Sequence, residues 1–155
     1  MRPETAAVLG PVLRDWDSYR ISYRVQEDWA PSPYDPDSAA AIVMVWTSDG
    51  SGTGVFVGAP GEPVTALAVL AAANALHDAV IDDRLLGMTT WPPCPLHPAS
   101  HPLTPRLHDP DQTHEQDLDE ALYPDVDVVW TCLRTGEVVC RVGELESASF
   151  ESMSG

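Results

Sequence analysis

Cys94-Pro95-Leu96-His97 sets a thiol and an imidazole at Cys-x-x-His spacing, and His101 follows within the same proline-rich stretch. Cys132 and Cys140 lie further along the chain. Thiolates and imidazoles are the donors of a structural zinc ion, which takes one close pair from a turn and a second pair from another segment. Cys94, His97 and Cys132 are therefore candidate zinc ligands, with His101 or Cys140 as the fourth. Four protein donors would make the site structural; three with an open position would let it do chemistry on a bound water. Three cysteines without an extracellular signature do not read as a disulfide framework.

The elements that must position these donors begin at Asp125. Asp125-Val126-Asp127-Val128-Val129-Trp130-Thr131-Cys132 reads as a strand, Arg134-Thr135-Gly136 as its turn, and Glu137 to Val142 as the return. Register decides whether the two cysteines cooperate, because strand side chains alternate faces. A two-residue turn at Thr135-Gly136 places Cys132 opposite Val139 and points Cys140 away. A three-residue turn with Gly136 left-handed places Trp130 opposite Cys140 and Cys132 opposite Val138, with both sulfurs on one face. Residues 91–142 resemble a zinc ribbon in carrying a knuckle and a cysteine-bearing hairpin. They depart from it in having one Cys-x-x-His and a wide Cys132/Cys140 pair where a ribbon has two Cys-x-x-Cys knuckles.

Upstream, residues 1–18 suggest a short helix broken or restarted at Gly10-Pro11. Ile21, Tyr23 and Val25 alternate with polar residues, as in a half-buried strand. A loop with prolines at 31, 33 and 36 follows. The apolar run 41–47, the turn Ser48-Asp49-Gly50-Ser51-Gly52 and the run 53–58 make a β-hairpin. Its glycines lack the Lys-Ser/Thr ending of a phosphate loop and do not open a helix. Residues 63–86 then form the longest helix, with Pro63 suited to its first turn and Gly87 to its end. The first half of that helix is apolar all round, which asks for cover on more than one side. Residues 91–125 carry prolines, histidines and acids without periodicity and read as an extended connection, mobile over 109–120. Residues 146–155 read as a flexible tail. Trp46 and Trp130, each within a strand, are expected to be buried.

The expected fold is α+β: a single domain over 1–145, with an antiparallel sheet packed on helix 63–86 within a core spanning 19–87. The 125–142 hairpin is a satellite or adds strands to that sheet, and it carries the zinc-ribbon-like cluster. The chain has 155 residues, enough for one such core.

Charge narrows the function. Twenty-four acids face eight basic residues, all arginine, for a formal net charge of −16. That field repels phosphates and anionic lipids, so neither direct nucleic-acid binding nor membrane association is expected. It attracts a basic protein, and it also favours solubility. Asp78, Asp82 and Asp83, on the polar side of the long helix, are the expected partner-binding acids, with Leu67 and Leu70 as the apolar flank. No long apolar run is present, and the N-terminus lacks a basic stretch followed by an apolar one, so a cytoplasmic location is expected. No Ser/His/Asp order, nucleophile elbow or dinucleotide fingerprint occurs. The expected function is a non-enzymatic acidic binding or accessory protein, such as an inhibitor or immunity-type partner covering a basic protein. The alternatives are a small zinc-dependent hydrolase using the 94–140 cluster and a structural subunit of a larger assembly.

Overall fold

The computed structural model describes residues 1–27, 42–58, 61–109, 111 and 121–146. Its elements are helix α1 (Pro3–Ser18), strands β1 (Tyr23–Gln26), β2 (Ile42–Thr47) and β3 (Gly52–Phe56), helix α2 (Ala66–Asp82), and strands β4 (Thr104–His108), β5 (Asp127–Thr131) and β6 (Val138–Arg141). The fold is α+β, with two three-stranded antiparallel sheets in the orders β1-β2-β3 and β4-β5-β6. Helix α2 lies between them, touching α1, β3, β4 and β5. No described helix is long and apolar enough to cross a membrane.

The sheet that carries the C-terminal hairpin corrects the expected one-sheet plan. Residues 104–108, expected to belong to a structureless connection, form β4 and pair with β5, Thr104 opposite Thr131 and Leu107 opposite Val128. Pro105 is tolerated because β4 is an edge strand, where one row of backbone N–H groups has no neighbour to bond. The hairpin is therefore no satellite: every residue of β5 is buried. The expected mobile stretch 109–120 and the tail 146–155 lie outside the described residues, apart from Asp109, Asp111 and Glu146.

Both helices also differ from expectation. Helix α1 continues without a break through Gly10-Pro11. A proline inside a helix forfeits one hydrogen bond and adds a clash, about 3 kcal/mol. Val8 and Leu9 before Pro11, and Val12, Leu13 and Trp16 after it, are all buried, so apolar burial on both sides outweighs that loss. Helix α2 starts at Ala66 instead of Pro63 because the Thr65 side chain caps it, accepting the Ala68 N–H at 3.2 Å. Its apolar first half is partly covered within the chain: Ala66 packs with Ala121 and Val126, and Ala66 N–H donates to the Ala121 carbonyl. Leu70 is half-buried against the core, and Leu67 stays 41% exposed.

A buried carboxylate ties the second sheet to α1. Asp15 Oδ2 accepts Trp130 Nε1–H at 2.8 Å and Gly143 N–H at 2.7 Å, and its Oδ1 accepts Leu145 N–H at 2.9 Å. Burial pushes the Asp15 carboxyl above its ordinary value, against the pull of these three donors and of Arg14. Gly143 has φ +101, and a Cβ there would meet an Arg14 nitrogen at 2.8 Å and the Pro11 backbone at 3.2 Å. Only glycine lets the chain pass close enough to reach Asp15. Trp130 is buried as expected and packs edge-on to Trp91 at 5.7 Å. Trp46 is not: it lies half-buried on the outer face of the first sheet, with Arg24 5.6 Å from its ring centroid and Gly52 opposite.

Asp15→Ala strands three N–H donors at once. It is expected to lower stability by at least about 3 kcal/mol in urea unfolding, because each orphaned buried donor costs about 1–3 kcal/mol. Trp130→Ala is expected to cost about 3–5 kcal/mol, and Trp46→Ala clearly less, since a half-exposed ring has less burial to lose. Equal losses for the two tryptophans would contradict this assignment of the core.

Candidate metal centre

The segment after Trp91 folds back on itself. Leu103 N–H donates to the Pro92 carbonyl at 2.7 Å, and Pro93 bridges to Pro102, so the loop is pinched at its base. Inside it, His97 N–H bonds to the Cys94 carbonyl and Ser100 N–H to that of His97, two turns that bring Cys94, His97 and His101 round to one side. The loop leads directly into β4. Because Thr104 pairs with Thr131, the mouth of the loop lies beside Cys132, the first residue after β5.

Four donors meet there: Cys94, His97, His101 and Cys132, with all ligand atoms within 4.8 Å of one another. His97 Nδ1 is 3.3 Å from His101 Nε2, 3.4 Å from Cys132 Sγ and 3.8 Å from Cys94 Sγ. Cys132 Sγ is 3.7 Å from His101 Nε2. A tetrahedral ion with metal–nitrogen bonds of about 2.0–2.1 Å and metal–sulfur bonds of about 2.3 Å would hold two nitrogens about 3.3–3.4 Å apart and a nitrogen and a sulfur about 3.5–3.6 Å apart. The observed edges fall on or within about 0.3 Å of those lengths. An Fe–S cluster with two irons would set its thiolates and imidazoles on different metals, too far apart to fit this spacing. The cluster could hold a single metal ion.

Secondary contacts prepare the donors. His101 Nδ1 lies 2.9 Å from the Pro102 carbonyl, which can only accept, so Nδ1 carries the hydrogen and the Nε2 lone pair faces the cluster. Burial of the Cys132 thiol would raise its pKa, but the Thr135 hydroxyl, the backbone N–H groups of Thr135 and Arg134, and the Cys94 thiol outweigh burial and lower it to about 6. The turn makes this possible. Gly136 adopts φ +74, its N–H bonds to the Cys132 carbonyl, and Cys132 N–H bonds to the Glu137 carbonyl, folding residues 133–135 over the sulfur. Thr135 was not legible as part of the site, although the Cys132-Leu-Arg-Thr-Gly136 spacing carried the signal: a thiol followed by a tight left-handed turn.

Of the two candidates for the fourth position, the structure brings in His101 and leaves Cys140 out. Trp130 does lie opposite Cys140, as a left-handed Gly136 predicts, but the register shifts between Trp130 and Thr131. Thr131 pairs with Val138, so Cys132 falls opposite Glu137, not Val138, and the two sulfurs part. Cys140 sits instead in a pocket with Tyr19, Leu103 and Leu145. There burial, then the charges of Asp15, Glu144 and Glu146, raise its pKa to about 12.

The expected partner-binding acids also divide. Asp78 is exposed and lies 3.1 Å from His77, and Asp82 is exposed. Asp83 is 2% exposed and ends α2, its Oδ1 accepting the Leu85 and Leu86 N–H groups at 2.8 and 3.1 Å. It is a helix-terminating residue, not a surface acid, because the chain turns back over it.

Comparison with protein-family models, with curated proteins and with solved structures yields no match.

The thiols of Cys132 and Cys140 should differ in reactivity. Chelation followed by iodoacetamide at neutral pH is expected to label Cys132 before Cys140, as read by peptide mass spectrometry, since the thiolate is the reactive form. Fast labelling of Cys140 would contradict its placement.

Proposed function

We propose that this chain is a non-enzymatic acidic binding protein, folded around one structural zinc ion and built to take a basic protein as partner. The observation that carries the first half is the closed donor set. Two sulfurs and two nitrogens lie within 4.8 Å of one another, the four protein donors that a structural zinc takes, so an ion held by all four would have no position left for a water or substrate. Zinc suits this mixture of thiolate and imidazole donors, and its lack of redox chemistry suits a staple between loop 91–103 and the β5–β6 turn. The same closure weighs against the hydrolase alternative, which needs an open position.

The second half rests on charge. With a formal −16, long-range attraction steers positively charged partners and disfavours phosphate-bearing ones. An inhibitor or immunity-type role, in which the acidic surface covers a basic protein, is the version this charge supports best. The assembly-subunit alternative draws on the apolar half of α2, where Ala66 is covered within the chain and Leu67 is exposed.

Protein purified without added metal is expected to carry one zinc per chain. Cys132→Ser and His101→Ala should lose it, and metal removal should lower the melting temperature, since metal binding and folding are coupled. Cys140→Ser should keep it. A metal content near zero, or loss of metal in Cys140→Ser with retention in His101→Ala, would overturn the assignment. A basic partner should associate more slowly as salt rises from low to physiological, where screening cuts the reach of charge to about 8 Å.

A further inference from the structure

Helix α2 ends in a way that ordinary helices avoid. The C-terminus of a helix carries partial negative charge and is stabilised by cations. Here Asp82 and the cap Asp83 stand at that end with Asp78 one turn before, and no basic residue lies in the last turn. Asp78 lies beside His77, whereas Asp82 and Asp83 have no ion pair among the described residues.

The second observation is inside the molecule. Asp83 Oδ1 is used by two backbone N–H groups, but Oδ2 is buried with no hydrogen-bond partner. A buried carboxylate oxygen without a donor costs several times what an exposed one does. Asp83 lines a groove of about 400 Å³ between α2 and β3, together with Asp78 and Asp82. Ala75 and Ala79 keep the helix wall low, and Thr53 stands on the strand wall. That strand is the edge of the first sheet: β3 pairs with β2 and has no second neighbour among the described residues. Among the described residues the outer backbone groups of β3 have no strand partner, and Gly52 and Thr53 of this strand line the groove.

We propose that this groove binds an extended, arginine-bearing segment of a basic protein. The segment adds to the edge of β3 by main-chain hydrogen bonds, and one of its guanidinium groups enters the acidic end at Asp82 and Asp83. Each feature then has a use. The strand edge gains a partner, the planar fork of arginine meets the exposed carboxylates of Asp82 and Asp78, and its charge, at the negative end of the helix, offsets the unpartnered Asp83 oxygen buried just behind them. The proposal rests on the basic-partner reading above and adds the surface and the chemistry of recognition.

The test uses the full chain with its metal and a synthetic capped hexapeptide, Thr-Val-Arg-Val-Arg-Thr, titrated at low salt by calorimetry and by amide NMR. Binding should move the amides of residues 52–56 and of 82–86. Replacing both peptide arginines by citrulline, which keeps the shape and removes the charge, should weaken binding at least about tenfold. Asp82→Asn with Asp83→Asn should do the same, and asparagine at 83 retains the oxygen that caps the Leu85 and Leu86 amides. Should that pair fail to fold, Asp78→Asn with Asp82→Asn, both at exposed positions, serves instead. Equal affinity for the citrulline peptide, or shifts confined to other strands, would overturn the proposal, as would a site filled by calcium chloride alone and indifferent to peptide. Poly-arginine separates the two levels. If it binds in a salt-dependent way while the peptide leaves 52–56 unmoved, the groove assignment falls and the basic-partner reading stands; if neither binds, both fall.

Discussion

The pairing of Thr104 with Thr131 governs where everything after Trp91 can go. It converts a proline-rich excursion into an edge strand, buries β5 from both sides and sets the mouth of the 91–103 loop against the turn after β5. Without that register, Cys94, His97 and His101 would be three donors on a loop, and Cys132 would be a lone cysteine at the end of a hairpin. With it, two segments that are distant in sequence converge on one point. A metal ion there would in turn hold the register, since slipping β4 by one residue would flip its side chains and pull the loop away from Cys132. Strand pairing and metal binding thus support the same arrangement, which is how a small domain avoids competing folds.

Acidity makes the donors' chemistry matter more. In a chain already at a formal −16, forming two thiolates adds two more negative charges, and a divalent cation cancels them. The low pKa of Cys132 comes from local hydrogen bonds and persists despite the surrounding field. Cys140 experiences that field without such donors, with Asp15, Glu144 and Glu146 nearby, and moves the opposite way. Two cysteines on one hairpin therefore part in role because one meets N–H and O–H donors and the other meets carboxylates.

Much of this was legible in sequence, for identifiable reasons. Alternation marked β1, the apolar run 41–47 and the glycine-bearing turn after it marked β2 and β3, and the apolar stretch expected as helix 63–86 contains α2, because burial patterns survive in residue order. Cys94, His97 and Cys132 stood out because thiol and imidazole at knuckle spacing are the donors a structural zinc takes. What could not be read depended on long-range contact. Pro105 looked like a strand breaker and is harmless only because β4 is an edge. Pro11 looked like a helix break and is overridden by packing from residues far along the chain. Asp15 looked like any helical acid, yet its three donors come from Trp130, Gly143 and Leu145. The choice between His101 and Cys140 hung on an irregularity between Trp130 and Thr131 that has no local signature.

The metal centre and the end of α2 are opposites in satisfaction. At the centre, lone pairs converge on a point that one ion would fill, and His101 is already locked in the tautomer that offers its lone pair. At the helix end, acids gather where the backbone dipole is itself negative, one carboxylate oxygen is buried without a donor, and beside it runs a strand edge with no second neighbour among the described residues. Stability alone would have selected lysine or arginine in that last turn and a donor for Asp83. Natural sequences break such local rules mostly where binding or chemistry gains from it. An ion in the closed site would tie loop 91–103 to the turn after β5, and an arginine at the unsatisfied one would neutralise the acids gathered there.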